Sequence, residues 1–100
     1  MADHLTPLEP RSQPGGAGRP QRILVAEDDD LVRSLIERLL TIHGWEVVCA
    51  ANGLEAVEQW RGRGGFDLAI LDVRMPKMNG YDAYLIMRRA SPEARFLFVS

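Results

Sequence analysis

Residues Phe66 to Gly80 constrain this chain more than any other stretch. Leu68, Ala69, Ile70 and Leu71 form an unbroken apolar run that stops abruptly at the carboxylate of Asp72. A strand without polar alternation is one buried on both faces, the pattern of a parallel sheet layered between helices. Loops leave such a sheet at its carboxyl edge and ligands bind there, so Asp72 stands where chemistry is done. Pro76, Asn79 and Gly80 then turn the chain, and Gly80 is expected to supply backbone angles that other residues resist.

A second run repeats the design. Ile23, Leu24, Val25 and Ala26 are apolar and give way to Glu27, Asp28, Asp29 and Asp30, so two buried strands deliver acids to one sheet edge. Beyond them Leu31, Val32, Leu35, Ile36, Leu39 and Leu40 recur at helical spacing and predict a wide apolar face. Asp30 is expected as the N-cap, Arg33 and Glu37 lie on the wet side, and His43-Gly44 closes the helix.

Trp45 to Ala50 predicts the next strand, with Cys49 as a small buried apolar side chain within it. Asn52-Gly53 turns the chain into a helix carrying Leu54, Ala56, Val57 and Trp60, the last as a core residue, and Gly62, Gly64 and Gly65 end it. Tyr81 to Arg89 predicts a third helix with Tyr84, Leu85 and Met87, its terminal Arg88-Arg89 complementing the helix dipole. Ser91-Pro92 breaks the chain before a fourth strand, Arg95 to Val99. Strict alternation of strand and helix requires parallel pairing through right-handed crossovers.

Composition excludes several classes of function. Apolar residues make up 46% and charged residues 26%, with a net charge of −2, which offers no general attraction for nucleic acid or an anionic membrane. No apolar run approaches the roughly 20 residues that span a bilayer, and the N-terminus lacks the apolar core of a secretory signal. Cys49 is the one cysteine, so an intramolecular disulfide is ruled out and a reducing, cytoplasmic compartment is expected. Residues 1–21, with Pro7, Pro10, Pro14, Gly15, Gly16, Gly18 and Pro20, are expected to form a disordered tail ahead of a domain over residues 22–100.

Three carboxylates meeting at one edge repel one another unless a cation joins them. An oxygen-only donor set suits Mg2+ better than zinc, which asks for His or Cys; His43 has no such companion nearby and is read as a helix end. With that charge neutralised, a carboxylate can attack phosphorus as a nucleophile.

Asp72 followed by Met75-Pro76 and then Met78-Asn79-Gly80 resembles the phosphoacceptor region of response-regulator receiver domains, and the resemblance extends from about Arg22 to Ser100. It implies a doubly wound, flavodoxin-like α/β fold with strand order 2-1-3-4-5, of which this sequence carries 2-1-3-4. It implies that Asp72 is the phosphoacceptor, that Glu27, Asp28 and Asp72 hold Mg2+, and that the main-chain carbonyl of Arg74 is a further ligand. Ser100 falls where the family places a hydroxyl that meets the phosphoryl oxygen. Asp29 and Asp30 are assigned to the helix start and not to the metal. The implied partner is a sensor histidine kinase or a histidine phosphotransfer protein, and the implied activity is phosphoacceptance, with autophosphatase activity as its one catalytic option.

The family continues with a helix, a fifth strand ending in Lys and a last helix, whereas this sequence stops at Ser100. An incomplete receiver is therefore expected to expose apolar surface and an open strand edge, through which it would self-associate. Two other readings stay open. A degenerate receiver would serve only as a binding or dimerisation module. A Mg2+-dependent phosphatase of the dehalogenase type also uses a strand-end Asp, but it wants a second Asp two residues on, where this chain has Arg74.

Overall fold

The computed structural model describes residues 21–100, so the expected tail over residues 1–21, Gln21 apart, lies outside the described residues. The elements run β1 (Arg22–Ala26), α1 (Asp30–Ile42), β2 (Glu46–Ala50), α2 (Gly53–Arg63), β3 (Leu68–Asp72), α3 (Gly80–Ala90) and β4 (Arg95–Val99). The strands form a parallel sheet in the order β2-β1-β3-β4. Ala26 of β1 is in register with Leu71 of β3, and Asp72 with Val99 of β4. Both acid-bearing strands therefore end side by side at one edge.

Side chains alternate across a sheet covered on both faces, which explains why residues 23–26 of β1 and 68–71 of β3 are all apolar. On one face Leu24, Ala26, Ala69 and Leu71 pack with Ala56, Val57 and Trp60 of α2 and with Ala83 and Met87 of α3. On the other, Ile23, Val25 and Ile70 pack with Trp45, and Ile36 and Leu40 of α1 lie against them. Trp60 is 3% exposed, stacks on Phe66 with ring centroids 4.9 Å apart, and donates its indole N–H to Ser91 Oγ at 3.1 Å. Ser91 itself closes α3 by donating its N–H to Met87 O.

Several local expectations are corrected. The N-cap of α1 is Asp29, whose carboxylate accepts from the N–H groups of Leu31 and Val32; Asp30 is the first helical residue and pairs with Arg33. The wide apolar face of α1 is only partly used, because one helix meets a sheet along a line. Ile36 and Leu40 occupy that line, while Leu31 and Ile42 are 78% and 71% exposed and Leu35 and Leu39 lie open beside them. β2 begins at Glu46, and Trp45 is buried in the connection before it. Cys49 is half-buried, and desolvation together with the Glu37 carboxylate pushes its thiol up to about 11.

β4 and β2 are the outer strands of the described sheet, and Leu97 and Phe98 are exposed on β4. No helix among the described residues is long and apolar enough to cross a membrane.

Candidate functional site

Asp72 is the last residue of β3, half-buried at the carboxyl edge. Its Oδ1 accepts from the N–H of Arg74 at 3.1 Å, a short Asx-type contact that begins the turn. Val73 N–H donates to Val99 O at 3.0 Å, and Gly80 N–H reaches back to Val73 O at 2.9 Å, so the loop after Asp72 closes onto the strand it left. Within that loop the left-handed residue is Lys77 (φ 69°), not Gly80. Gly80 is required for a different reason: a Cβ there would fall on the carbonyl oxygen of Asp72 and crowd its carbonyl carbon. Gly53 plays the same part on the other side of the loop, where a Cβ would collide with the carbonyl of Met78.

Glu27 follows β1 directly and extends its pairing, donating its N–H to Ala50 O at 3.0 Å. Its side chain accepts from Asp29 N–H at 3.0 Å and is 7% exposed. Burial raises its pKa above the ordinary carboxylate value; the Asp29 N–H opposes this, and the neighbouring Asp72 and Asp28 carboxylates add to it.

One carboxylate oxygen each from Glu27, Asp28 and Asp72 lies within 4.8 Å of the others. Glu27 is buried, Asp72 half-buried and Asp28 exposed, so the cluster opens to solvent on the Asp28 side. There it borders a concavity of about 520 Å³ lined by Asp28, Val73, Arg74, Met75, Pro76 and Asn79. Among the described residues the ion pairs Arg22–Glu46 and Arg33–Asp30 leave Glu27, Asp28 and Asp72 out, so no described cation forms a salt bridge with the three acids.

The residues singled out from sequence are not all gathered equally. Glu27, Asp28 and Asp72 converge, while Asp29 and Asp30 are drawn off to the start of α1 as expected. Ser100 follows Val99, the register partner of Asp72, and so lies at the same sheet edge. Arg33, expected on the wet side of α1, is instead half-buried and donates through Nη1 to the Glu27 carbonyl at 2.8 Å. A basic residue one turn into a helix that follows an acid cluster was the only signal, and helical periodicity could not tell which way its side chain turns.

The match to the response regulator receiver domain spans residues 23–100. The chain belongs to this family. The receiver is 40% identical over 74 residues to the response regulator sskA of Aspergillus fumigatus, covering 74% of this chain and 9% of that protein. It is 34% identical over 85 residues to the chemotaxis protein CheY of Treponema pallidum, covering 83% of this chain and 59% of that one. Among solved structures it superposes with a TM-score of 0.79, at 26% identity, on the CheX-CheY-BeF3-Mg+2 complex from Borrelia burgdorferi, covering 90% of this chain and 69% of that one. The receiver thus spans between about a tenth and two thirds of the length of these relatives. Membership also sets aside the dehalogenase-type phosphatase, whose second Asp has no counterpart at Arg74.

Proposed function

We propose that this receiver is the acceptor in a phosphorelay, with Asp72 taking a phosphoryl group from a phosphohistidine on a sensor histidine kinase or a histidine phosphotransfer protein. The observation that carries the reading is the gathering of Glu27, Asp28 and Asp72 beside an open concavity, with no salt bridge to any of them among the described residues. The donor set fits a hard divalent ion: it is all oxygen, it excludes Cys49 and His43, and its open side leaves room for water and a phosphoryl group. Glu27, Asp28, Asp72 and the main-chain carbonyl of Arg74 would hold Mg2+. Bound there, Mg2+ supplies positive charge against the three carboxylates and the phosphoryl oxygens.

The chain's own residues do the rest. An Asp72 oxygen bonds to phosphorus while the P–N bond to the donor imidazole breaks, its electron pair going to nitrogen. The N–H of Arg74 holds the other half of the Asp72 carboxylate at a set angle. Ser100, at the same edge, is assigned the hydroxyl that meets a phosphoryl oxygen. In the autophosphatase step a water oxygen bonds to phosphorus, the bond to Asp72 breaks, and the carboxylate and inorganic phosphate are restored. Residues 22–100 form the functional unit, and a cytoplasmic location suits its donors.

The direct test is incubation of the chain with Mg2+ and acetyl phosphate, followed by intact-mass measurement. The expected result is a gain of one phosphoryl group that is absent in Asp72→Asn; persistent labelling of that variant overturns the assignment. We further propose self-association through β4, supported by its outer position and exposed Leu97 and Phe98. A monomer by light scattering at high concentration excludes it.

A further inference from the structure

The three carboxylates of the acceptor site are not held in the same way. Glu27 is anchored at three points: its N–H to Ala50 O, its carboxylate by Asp29 N–H, and its carbonyl by Arg33 Nη1 at 2.8 Å. Asp72 is anchored at the end of a central strand and by Arg74 N–H. Asp28 is exposed and its side chain makes no hydrogen bond among the described residues. Its carboxylate is therefore aimed by the two peptide groups that flank it.

Those two peptides are the ones that carry the contacts just named. The peptide between Asp28 and Asp29 is held by its N–H on the Glu27 carboxylate. The peptide between Glu27 and Asp28 is held by its oxygen on the Arg33 guanidinium. A peptide is planar, so fixing its oxygen fixes the direction in which the chain enters Asp28. Arg33 can do this because α1 begins at Asp30 and brings its first turn back over the end of β1. Its other terminal nitrogen, Nη2, is taken up by Asp30, a largely exposed carboxylate.

We propose that Arg33 is a positioning residue of the acceptor site, aiming Asp28 through the carbonyl of Glu27. The inference rests on the phosphoacceptor reading above. A planar fork that must bridge two acceptors cannot be replaced by the single ammonium of Lys, although the charge is the same. Arg33→Lys therefore separates geometry from charge, and Asp30→Asn separates the Glu27 contact from the start of the helix.

The test is an amide NMR titration of the chain with MgCl2. Wild type is expected to show saturable shifts at Glu27, Asp28 and Asp72. Arg33→Lys, judged folded by unchanged shifts of the Trp60 and Phe66 core, should weaken Mg2+ binding by about tenfold, the lower end for loss of a group that orients a ligand. Asp30→Asn should stay within about twofold of wild type, because the Glu27 contact survives. A folded Arg33→Lys that binds as wild type overturns the proposal, as does an equal loss in Asp30→Asn. Without any variant, a freely rotating Arg33 guanidinium in wild type, measured by side-chain nitrogen exchange, also overturns it. Absence of any saturable shift in wild type instead overturns the acceptor reading on which the proposal stands.

Discussion

Replacing Asp72 by Asn should make this protein more stable in the absence of Mg2+, although it removes the residue on which the proposed function depends. The argument is electrostatic. Carboxylate oxygens of Asp72, Glu27 and Asp28 lie within 4.8 Å of one another, and none of the three is in a salt bridge among the described residues. Two unit charges at that separation repel by about 0.9 kcal/mol in bulk water and about 3.5 kcal/mol at an effective dielectric of 20. The buried Glu27 brings its pair with Asp72 toward the larger figure, and the exposed Asp28 brings its own toward the smaller. Partial protonation of Glu27, whose pKa burial raises, reduces the sum. Asn also weakens the Arg74 N–H contact from a charged to a neutral acceptor, which costs about 1 kcal/mol. The net expectation is a gain of roughly 1–2 kcal/mol in Asp72→Asn at neutral pH and low salt.

Urea unfolding in a chelating buffer, followed by the fluorescence of the buried Trp45 and Trp60, reads this as a higher midpoint with an unchanged slope. Millimolar Mg2+ should then stabilise wild type more than the variant and close the gap, since ligand that binds only the native state adds stability by mass action. A variant no more stable than wild type without Mg2+, with a difference that Mg2+ leaves untouched, would refute the reasoning.

The same cluster sets a pH dependence. Glu27 binds its proton more tightly when folded, so it contributes stability below its ordinary value of 4.5 and that contribution is lost as pH rises through the raised folded pKa; Glu27→Gln should flatten the fall in Tm over that window in chelating buffer. Gly80→Ala should cost about 3 kcal/mol by urea unfolding, because the new Cβ meets the Asp72 carbonyl, which is main chain and cannot swing aside; a cost below that of an ordinary exposed substitution would show that the loop gives freely. Cys49, with its thiol pushed up to about 11 from 9.0, should alkylate about a hundredfold more slowly than an unperturbed thiol near neutral pH, and a rate equal to that of a free thiol would contradict its surroundings.

The framework of this fold is legible in the chain. Unbroken apolar runs at 23–26 and 68–71 announce strands covered on both faces, and the acids that follow them mark one sheet edge. These features depend on local composition and on the two-residue alternation of strands, which any sequence displays directly. Turn positions were equally legible, but their reasons were not. Gly80 reads as a residue of unusual backbone angles, whereas its φ is ordinary and the constraint is the approach of the Asp72 carbonyl from another segment. Lys77, which does adopt the left-handed conformation, carries no mark of it in the sequence.

Helix α1 shows the same division. Its periodicity correctly places a helix, but periodicity reports only that a face is apolar and not how much of it a neighbour reaches. Ile36 and Leu40 meet the sheet while Leu31 and Ile42 do not, because contact depends on where the helix axis lies over β1 and β3. The N-cap passes from Asp30 to Asp29 for a comparable reason: four adjacent acids offer equal capping chemistry, and the path of the chain out of β1 selects among them.

By itself, the sequence determined which residues could serve: two buried strands, three acids at their ends and a turn that holds them. The tertiary structure alone decided which of them act together. Glu27 and Asp72, 45 positions apart, are brought together by strand register, and the wet-side arginine at position 33 became the anchor of the Glu27 carbonyl. Identity and spacing are properties of one segment, whereas convergence and close approach are properties of two, and they exist only once the chain has folded.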